Sequence, residues 1–325
     1  MSTATFWRST AAGWRADWVK SAVKTFIFGE AMLEYHSHGG SGLRYGGDTL
    51  NTAIHMARGG YDVAYVTALG TDSISDALVA DWEAEGLDCS HVHRHPDRTV
   101  GVYAINLDLS GERSFLYWRD RSAARAMFDL PEMASTLEAA KAAQLIYFSL
   151  ITLAVIGHGA RDTLLHLSRT RKASGLAVAY DSNFRPSLWE DLDTARAVST
   201  KAAACATLGL PTDEDERALC ASRDTPTLIA KRWRAEGCDE VVVKAGASGC
   251  VRLGADDAEA RFFPTTPISA VDTSGAGDAF NAGYLMGMLE GDGVPESVAR
   301  AQKLAARAVQ YKGAVEPRRN ANSIR

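Results

Sequence analysis

Apolar and polar residues follow two different periodic patterns along the chain. Short runs rich in β-branched and apolar residues alternate with longer stretches whose apolar residues recur every three or four positions. The first pattern is typical of buried strands and the second of amphipathic helices, so their alternation predicts an α/β fold with a mostly parallel sheet between two helical layers. The predicted strands cover residues 25–28, 63–67, 101–107, 113–118, 144–149, 176–181, 203–208, 240–244 and 250–253.

Two of the intervening stretches predict helices that pack on the core. In residues 48–58, Leu50, Ile54 and Ala57 share one side of a helix, and in residues 73–85 the apolar residues recur at spacings of four. The longest apolar run, 145–156, is well short of the roughly 20 residues that a membrane-spanning helix needs. Ser149 and Thr152 interrupt it, and we predict a buried strand that runs into a loop.

One region departs from this alternation. Residues 99–118 contain two β-rich runs joined by the polar, glycine-containing segment 108–112, which favours an antiparallel hairpin. A hairpin inserted into a parallel α/β protein is suited to act as a lid. The chain has no internal repeat and no long linker, so we predict that residues 25–317 form one domain, with 318–325 as a tail.

Composition narrows the classes of protein and partner. The chain has 325 residues, 46% of them hydrophobic and 23% charged, as expected of a packed globular protein. A formal net charge of −5 gives no electrostatic basis for binding nucleic acid or an anionic membrane. The five cysteines form no C-x-x-C pair, which favours a reducing compartment, and we expect a cytoplasmic protein.

Residues 1–24 form an extension ahead of the first predicted strand. It carries three tryptophans, four basic residues and one acidic residue, and no apolar segment follows that would make it a secretory signal. It is therefore either a targeting peptide or an accessory segment.

The most informative segment is 271–290. It opens with small residues, Gly275 and Gly277, and continues in a helical pattern, which places the glycines at a helix amino terminus. Unpaired backbone N–H groups converge there, and glycine lets an anion approach them closely. We therefore predict a phosphate-sized anion hole, different from a Walker A loop or a Rossmann fingerprint. Asp278, in the first helical turn, is either a general base for an attacking hydroxyl or a carboxylate that merely favours the helix dipole.

Four other segments carry candidate ligand contacts. Gly46 and Gly47 precede a helix that carries Asn51, whose amide both donates and accepts hydrogen bonds to hydroxyl groups, and Asp48 is a candidate helix cap. In 115–119, strand alternation places Tyr117 and Arg119 on one face, an arrangement that suits a carboxylated sugar or ordinary strand packing. Polar residues 181–189 follow a central strand, at the sheet edge where ligands bind. Residues 244–249 form either a nucleotide-contacting loop or a tight turn.

Taken together, these segments resemble the PfkB, or ribokinase-like, family of carbohydrate kinases over about residues 28–317. The family's two signatures are similar to residues 46–53 and 272–280. Further runs are similar to the branch of the family that acts on ketodeoxygluconate: 29–32, 111–119, 122–125, 147–153 and 181–189. The resemblance implies a three-layer α/β/α sandwich with a small β lid from about residues 31–46 and 98–120.

The same resemblance implies roles for individual residues. Asp278 would be the catalytic base and Gly275, Ala276 and Gly277 the anion hole. The residues expected to bind the sugar acid are Gly46, Gly47, Asn51, Tyr103, Tyr117, Arg119, Arg185 and Asp278. Those expected to bind ATP are Asn183, Lys244, Gly246, Gly249, Gly275 and Gly277. Where the family often carries Asn-x-x-Glu to organise magnesium, this chain has Thr212 and Asp215, which leaves Asp215 as the predicted metal ligand.

The implied activity is ATP- and Mg²⁺-dependent phosphorylation of 2-dehydro-3-deoxy-D-gluconate at its terminal primary hydroxyl. The alternatives are a PfkB kinase of another sugar or sugar acid and a catalytically silent sugar-binding homologue. The implied partners are the sugar acid, ATP and a second copy of the chain that associates through the lid.

Overall fold

A computed structural model describes residues 24–36, 44–107 and 113–316 of the chain. Within these ranges the strands are β1 (Lys24–Phe28), β2 (Met32–His36), β3 (Arg44–Gly46), β4 (Asp62–Leu69), β5 (Val92–Arg94), β6 (Gly101–Leu107), β7 (Arg113–Trp118), β8 (Leu145–Ser149), β9 (Ala177–Asp181), β10 (Leu208–Gly209), β11 (Glu240–Lys244), β12 (Gly249–Leu253) and β13 (Arg261–Pro264). The α-helices are α1 (Asp48–Arg58), α2 (Ser73–Ala84), α3 (Met133–Ala142), α4 (Leu150–Ala173), α5 (Leu192–Cys205), α6 (Asp213–Cys220), α7 (Pro226–Ala235), α8 (Ala276–Glu290) and α9 (Val294–Ala308).

A large sheet forms the centre of the molecule. Its strand order is β13-β12-β11-β10-β9-β8-β1-β4-β5, parallel from β11 to β5, with β12 and β13 added antiparallel at one edge. Alternate strand residues face two separate cores. Helices α1, α2, α8 and α9 pack against one face and α3 to α7 against the other. This three-layer α/β/α arrangement confirms the predicted fold class.

A second, smaller sheet has the order β3-β2-β6-β7. Its β6 and β7 pair antiparallel, which confirms the predicted hairpin, while β2 lies parallel to β6 and antiparallel to β3. We call these four strands the small sheet. The turn 108–112 lies outside the described residues.

The structure corrects two of the sequence predictions. No loop follows the strand at Ser149: α4 begins at Leu150, because Ser149 and Thr152 form a capping box in which each side chain bonds the other residue's backbone. The predicted strand 203–208 is also wrong. Helix α5 continues to Cys205, since its alanine-rich end favours helix, and only Leu208 and Gly209 pair in the sheet.

The remaining predicted strands and both predicted helices are confirmed, with each end within two residues of the predicted one. Strands β2, β3, β5 and β13 were not predicted, since runs of three to five residues carry little periodicity. Lys24, assigned to the extension, is the first residue of β1, whereas residues 1–23 and the tail 318–325 lie outside the described ranges. Among the described residues, none of the helices combines the length and the apolar character needed to cross a membrane.

Candidate active site

The amino terminus of α8 forms a corner that contains two glycines, Gly275 and Gly277. Gly275 precedes the helix with φ 72°, the left-handed region that favours glycine, and a Cβ there would lie 2.6 Å from the Ala314 carbonyl oxygen. Ala314 therefore packs against Gly275, whereas the position of a Cβ on Gly277 has only Lys244 Nζ nearby, at 3.6 Å, so the backbone is open at Gly277. Since the first backbone N–H groups of a helix and the helix dipole attract anions, this corner has the geometry of the predicted anion hole.

Asp278 lies in the first turn of α8 and is buried, with 8% of its surface exposed. Asn51 of α1 donates an amide hydrogen bond to its Oδ2 at 2.8 Å. Burial raises the pKa of Asp278 to about 8; the negative charge of Asp48 adds to this and the Asn51 bond opposes it. A carboxylate with this pKa has the proton affinity that a general base needs near neutral pH. Two residues that are 227 positions apart in sequence, both predicted as site residues, thus meet.

A buried polar network lies beside this corner. The Lys244 ammonium, 6% exposed, donates to Asp181 Oδ2 at 2.8 Å and to Asn281 Oδ1 at 2.9 Å. The Asn281 amide in turn donates to Asp181 at 2.7 Å and to the Tyr147 hydroxyl at 3.1 Å. Lys244 Nζ lies 3.6 Å from the position that a Cβ on Gly277 would take. The network therefore fixes a positive charge next to the anion hole, at the carboxyl ends of β9 and β11.

One face of the small sheet bears a row of polar and aromatic residues. Arg44, Glu34, Tyr103 and Tyr117 are register partners on adjacent strands, so their side chains project from the same face. The Tyr103 hydroxyl donates to Glu34 Oε2, and the rings of Tyr103 and Tyr117 stack with centroids 6.0 Å apart. A Cβ on Gly46 would lie 2.8 Å from the Tyr103 hydroxyl oxygen, so this row contacts the chain just before α1 and covers the site.

This contact changes the reason for glycine at position 46. Its bare Cα leaves room for the Tyr103 hydroxyl rather than for a ligand alone. Gly47 is constrained by the backbone instead, because it is the residue before α1 and a Cβ on it would lie 2.5 Å from the Glu30 carbonyl oxygen. Asp48, expected as a helix cap, lies inside the first turn of α1 and accepts a hydrogen bond from Asn183 at 3.1 Å.

Both arginines predicted to bind a ligand carboxylate have carboxylate partners within the protein. Arg119, 6% exposed, donates to the fully buried Glu30, and its guanidinium carbon lies 5.8 Å from the Tyr117 ring centre. Arg185 is half exposed and donates through Nη1 to Asp215 Oδ1 at 3.1 Å. Arg119 thus links the small sheet to the segment after β1, while Arg185 faces solvent.

A cleft of about 430 Å³ opens beside α9, on the side of the large sheet that also carries α8. It lies between the end of β13 and helix α9, and its lining includes Ile268, Gln302 and Lys303. The turn at Gly246 to Ser248 joins antiparallel strands, as the turn interpretation of 244–249 predicted, and Gly249 is the register partner of Pro264 at the cleft. The glycine turn thus lies between Lys244, at the end of β11, and the β13 end of the cleft.

The described part of the chain holds no group of three His, Cys, Asp or Glu side chains arranged to bind a metal ion. Asp215, the predicted metal ligand, lies beside Arg185, and burial raises its pKa to about 6. Mg²⁺ in phosphoryl-transfer sites is held largely by substrate phosphates and water, with one or two carboxylates. The residues present fit a Mg²⁺ ion that enters with a nucleotide.

Comparisons with known proteins identify the family. Residues 34–321 match the pfkB family carbohydrate kinases. The chain belongs to this family. It is 36% identical over 304 residues to the 2-dehydro-3-deoxygluconokinase of Escherichia coli K12, which covers 91% of this chain and 97% of that protein.

Solved structures show the same fold for this pfkB kinase. The PfkB protein from Polaromonas sp. JS666 is 32% identical with a TM-score of 0.76, over 90% of this chain and 97% of that one. An Escherichia coli chain solved with ATP and Mg²⁺ has a TM-score of 0.76 at 20% identity, over 90% and 94% of the two chains.

Sequence reasoning missed several residues of the kinase's site. Glu34, Tyr147 and Asn281 have no predicted role, and Asp181 is predicted only as part of the polar run 181–189. Each bonds a predicted site residue or a partner of one. Two signals were present. Asn281 is an amide on a helix that is otherwise almost entirely small or apolar, and Glu34 is the one charged residue in the run Met32–Tyr35. Asn183, expected on the ATP side, lies against Asp48 of α1.

Proposed function

We propose that this pfkB kinase transfers the γ-phosphoryl group of ATP to the terminal primary hydroxyl of 2-dehydro-3-deoxy-D-gluconate, giving 2-dehydro-3-deoxy-6-phosphogluconate. The observation that carries the chemistry is the buried Asp278, with its pKa of about 8, in the first turn of a helix whose amino terminus has no side-chain cap. Identity of 36% to the Escherichia coli 2-dehydro-3-deoxygluconokinase supports the choice of substrate.

Each residue at the α8 amino terminus has its own role in the proposed reaction. Asp278 accepts the proton of the attacking hydroxyl, and Asn51 holds its carboxylate in place. The backbone N–H groups of 275–277 bind the transferring phosphoryl group, where negative charge develops. Lys244 has three N–H donors and uses two within the protein, so the third is directed to a phosphate oxygen in our proposal.

The nucleotide occupies the cleft between β13 and α9 in this proposal. Its base lies near Gln302, and its phosphates pass Gly249 and Lys244 to reach Gly277. Bound Mg²⁺ neutralises charge on the β- and γ-phosphates. Asp215 is the residue that would contact this ion, directly or through water.

An arginine on the sugar side supports a sugar acid as the substrate in this proposal. Arg185 is half exposed, and its described hydrogen bonds all come from Nη1, so the other guanidinium nitrogens face the ligand side in our proposal. Arg119 lies under Tyr117, but the buried Glu30 carboxylate offsets its charge, so Arg185 is the arginine that binds the ligand carboxylate in our proposal. Guanidinium groups bind carboxylates with charge-assisted hydrogen bonds.

A comparison of substrates tests this function. We expect kcat/KM for 2-dehydro-3-deoxygluconate to exceed that for ribose and fructose by at least about 10²-fold, because a site built for a charged group rejects a ligand without it. 2-Dehydro-3-deoxygalactonate should fall between them. A neutral sugar with the highest kcat/KM would replace the proposal with another sugar kinase, and absence of any sugar-dependent ADP release would indicate a silent homologue.

The small sheet also has an outer face, which we propose as the contact between two copies of the chain. Tyr35, Leu116 and Trp118 project from it and are 52%, 56% and 61% exposed. Exposed apolar faces and sheet edges of this kind are usually covered.

We expect light scattering to show a dimer that Trp118→Asp converts to monomer. Phe262→Asp is the matched control, since Phe262 is 53% exposed elsewhere on the molecule, and it should leave the dimer intact. A wild-type mass equal to the monomer at all concentrations would contradict the interface.

The compartment and the remaining partners are part of the same proposal. All five cysteines are free thiols, which suits the reducing conditions of the cytoplasm. The net charge of −5 supports small anionic ligands held by local cations rather than nucleic acid or a membrane surface.

A further inference from the structure

The pair Glu34 and Tyr103 lies on the site-facing side of the small sheet and has no part in the mechanism above. The two residues are register partners on β2 and β6, and the Tyr103 hydroxyl donates to Glu34 Oε2. Glu34 is buried, with 8% of its surface exposed. Burial, the negative charge of Glu34 and the bond between them raise the pKa of Tyr103 far above its usual value, so the phenol keeps its proton.

This pairing limits what the tyrosine offers to a ligand. A phenol has one O–H donor, and Glu34 takes it, so the Tyr103 oxygen presents only lone pairs. An ionised Glu34 is itself an acceptor only. A ligand hydroxyl can donate a hydrogen bond to this pair. A keto oxygen or a carboxylate has no proton to donate, so its lone pairs would be repelled by those of Tyr103 and Glu34.

The neighbouring contacts hold the pair in this arrangement. Tyr117 stacks on the Tyr103 ring, and the Cα of Gly46 lies directly under the hydroxyl, where a Cβ would come within 2.8 Å of it. The negative charge of Asp278 contributes to the raised pKa of Tyr103, which places the pair near the reacting end of the site.

We infer that Glu34 is a specificity-determining residue: by holding the Tyr103 proton, it makes the Tyr103 position of the sugar site an acceptor of hydrogen bonds and selects ligands with a hydroxyl group there. The inference rests on the proposed sugar-kinase function. For 2-dehydro-3-deoxygluconate it selects the C4 or C5 hydroxyl and directs the keto and carboxylate end away from the small sheet.

Deoxy analogues of the substrate test this inference. We expect the wild-type enzyme to prefer the parent sugar acid to its 4-deoxy or 5-deoxy analogue by about 10-fold to 100-fold in kcat/KM, the range of one charge-assisted hydrogen bond. Glu34→Met removes the acceptor and releases the Tyr103 proton. The preference for the parent sugar acid should then fall to within about threefold. The change should appear in KM, whereas kcat should change little because Asp278 and α8 are intact.

Two further variants separate selection from a structural effect. Tyr103→Phe should lose the same preference, and the double variant should lose no more than either single variant. Glu290→Met is the matched control: Tyr61 donates to Glu290 at 2.6 Å in a second tyrosine–glutamate pair outside the site, so the preference should stay at the wild-type value. If Glu34→Met does not fold, the Tyr103→Phe ratio alone decides the outcome.

An unchanged ratio in Glu34→Met or in Tyr103→Phe would overturn the inference. An equal loss on parent and analogue would do the same, since that pattern indicates a general disturbance of the site. If the substrate comparison instead favours a neutral sugar, the same ratio measured with that sugar and its deoxy analogues tests Glu34 independently of the proposed sugar-acid substrate.

Discussion

Replacing Asp278 with Asn is expected to lower kcat by about 10²-fold or more while KM for the sugar and for ATP changes only a few-fold. Asn has the shape of Asp and accepts the hydrogen bond that Asn51 donates at 2.8 Å, so the pocket persists. What is lost is the proton acceptor. Steady-state kinetics at pH 8, near the pKa of the buried carboxyl, measures the difference.

Stability gives this variant a second readout. Burial raises the folded-state pKa of Asp278, so the folded protein loses stability as pH rises through about 8, where this carboxyl must ionise. Asp278→Asn removes that cost and should raise the midpoint of thermal unfolding, most clearly above pH 8. Asp72→Asn, at the amino-terminal cap of α2, is the control and should keep turnover, because Asn also caps helices. Near-normal kcat in Asp278→Asn would exclude it as the base.

Lys244→Met is expected to produce the second large effect, a fall of about 10²-fold in kcat/KM for ATP. The variant removes the cation next to Gly277. It also removes a charge that lowers the pKa of Asp278, so that pKa rises further. Since Asp278 acts as a base in its ionised form, the rising limb of the pH–rate profile should move to higher pH. The deficit should be larger at pH 7 than at pH 9.

The same substitution leaves Asp181 buried without its cation, at a cost of about 3–5 kcal/mol in the free energy of unfolding. A second change separates this effect from catalysis. Lys244→Met with Asp181→Asn should regain most of the stability, measured by urea unfolding, but not the activity. Recovery of activity along with stability would show that Lys244 acts only by holding the fold.

Much of the fold was predictable because its elements are long enough to show their period. The strands from β1 to β12 that lie buried in the large sheet are short apolar runs, and α1 repeats its apolar side through Leu50 and Ile54. The two errors have local causes. Ser149 and Thr152 interrupt an apolar run in the sequence, but in the structure they cap α4. The alanines before Cys205 continue a helix that packs on the sheet.

The site was predictable only where its functional residues lie close together in the sequence. Gly275, Gly277 and Asp278 stand together in sequence, so their helix amino terminus was foreseen. Contacts between distant segments were not: the bond from Tyr103 to Glu34 spans 69 positions and that from Asn281 to Tyr147 spans 134. Such pairs depend on strand order in the two sheets, which no local pattern of residues specifies.

The central claim is transfer of the γ-phosphoryl group to a primary hydroxyl of a sugar acid. The most direct measurement is ³¹P NMR of the purified chain incubated with ATP, Mg²⁺ and 2-dehydro-3-deoxygluconate. We predict one new phosphomonoester for each ADP formed, its signal split into a triplet by the two protons of the C6 methylene group. Inorganic phosphate alone, or a doublet from a phosphate on a secondary carbon, would contradict the account.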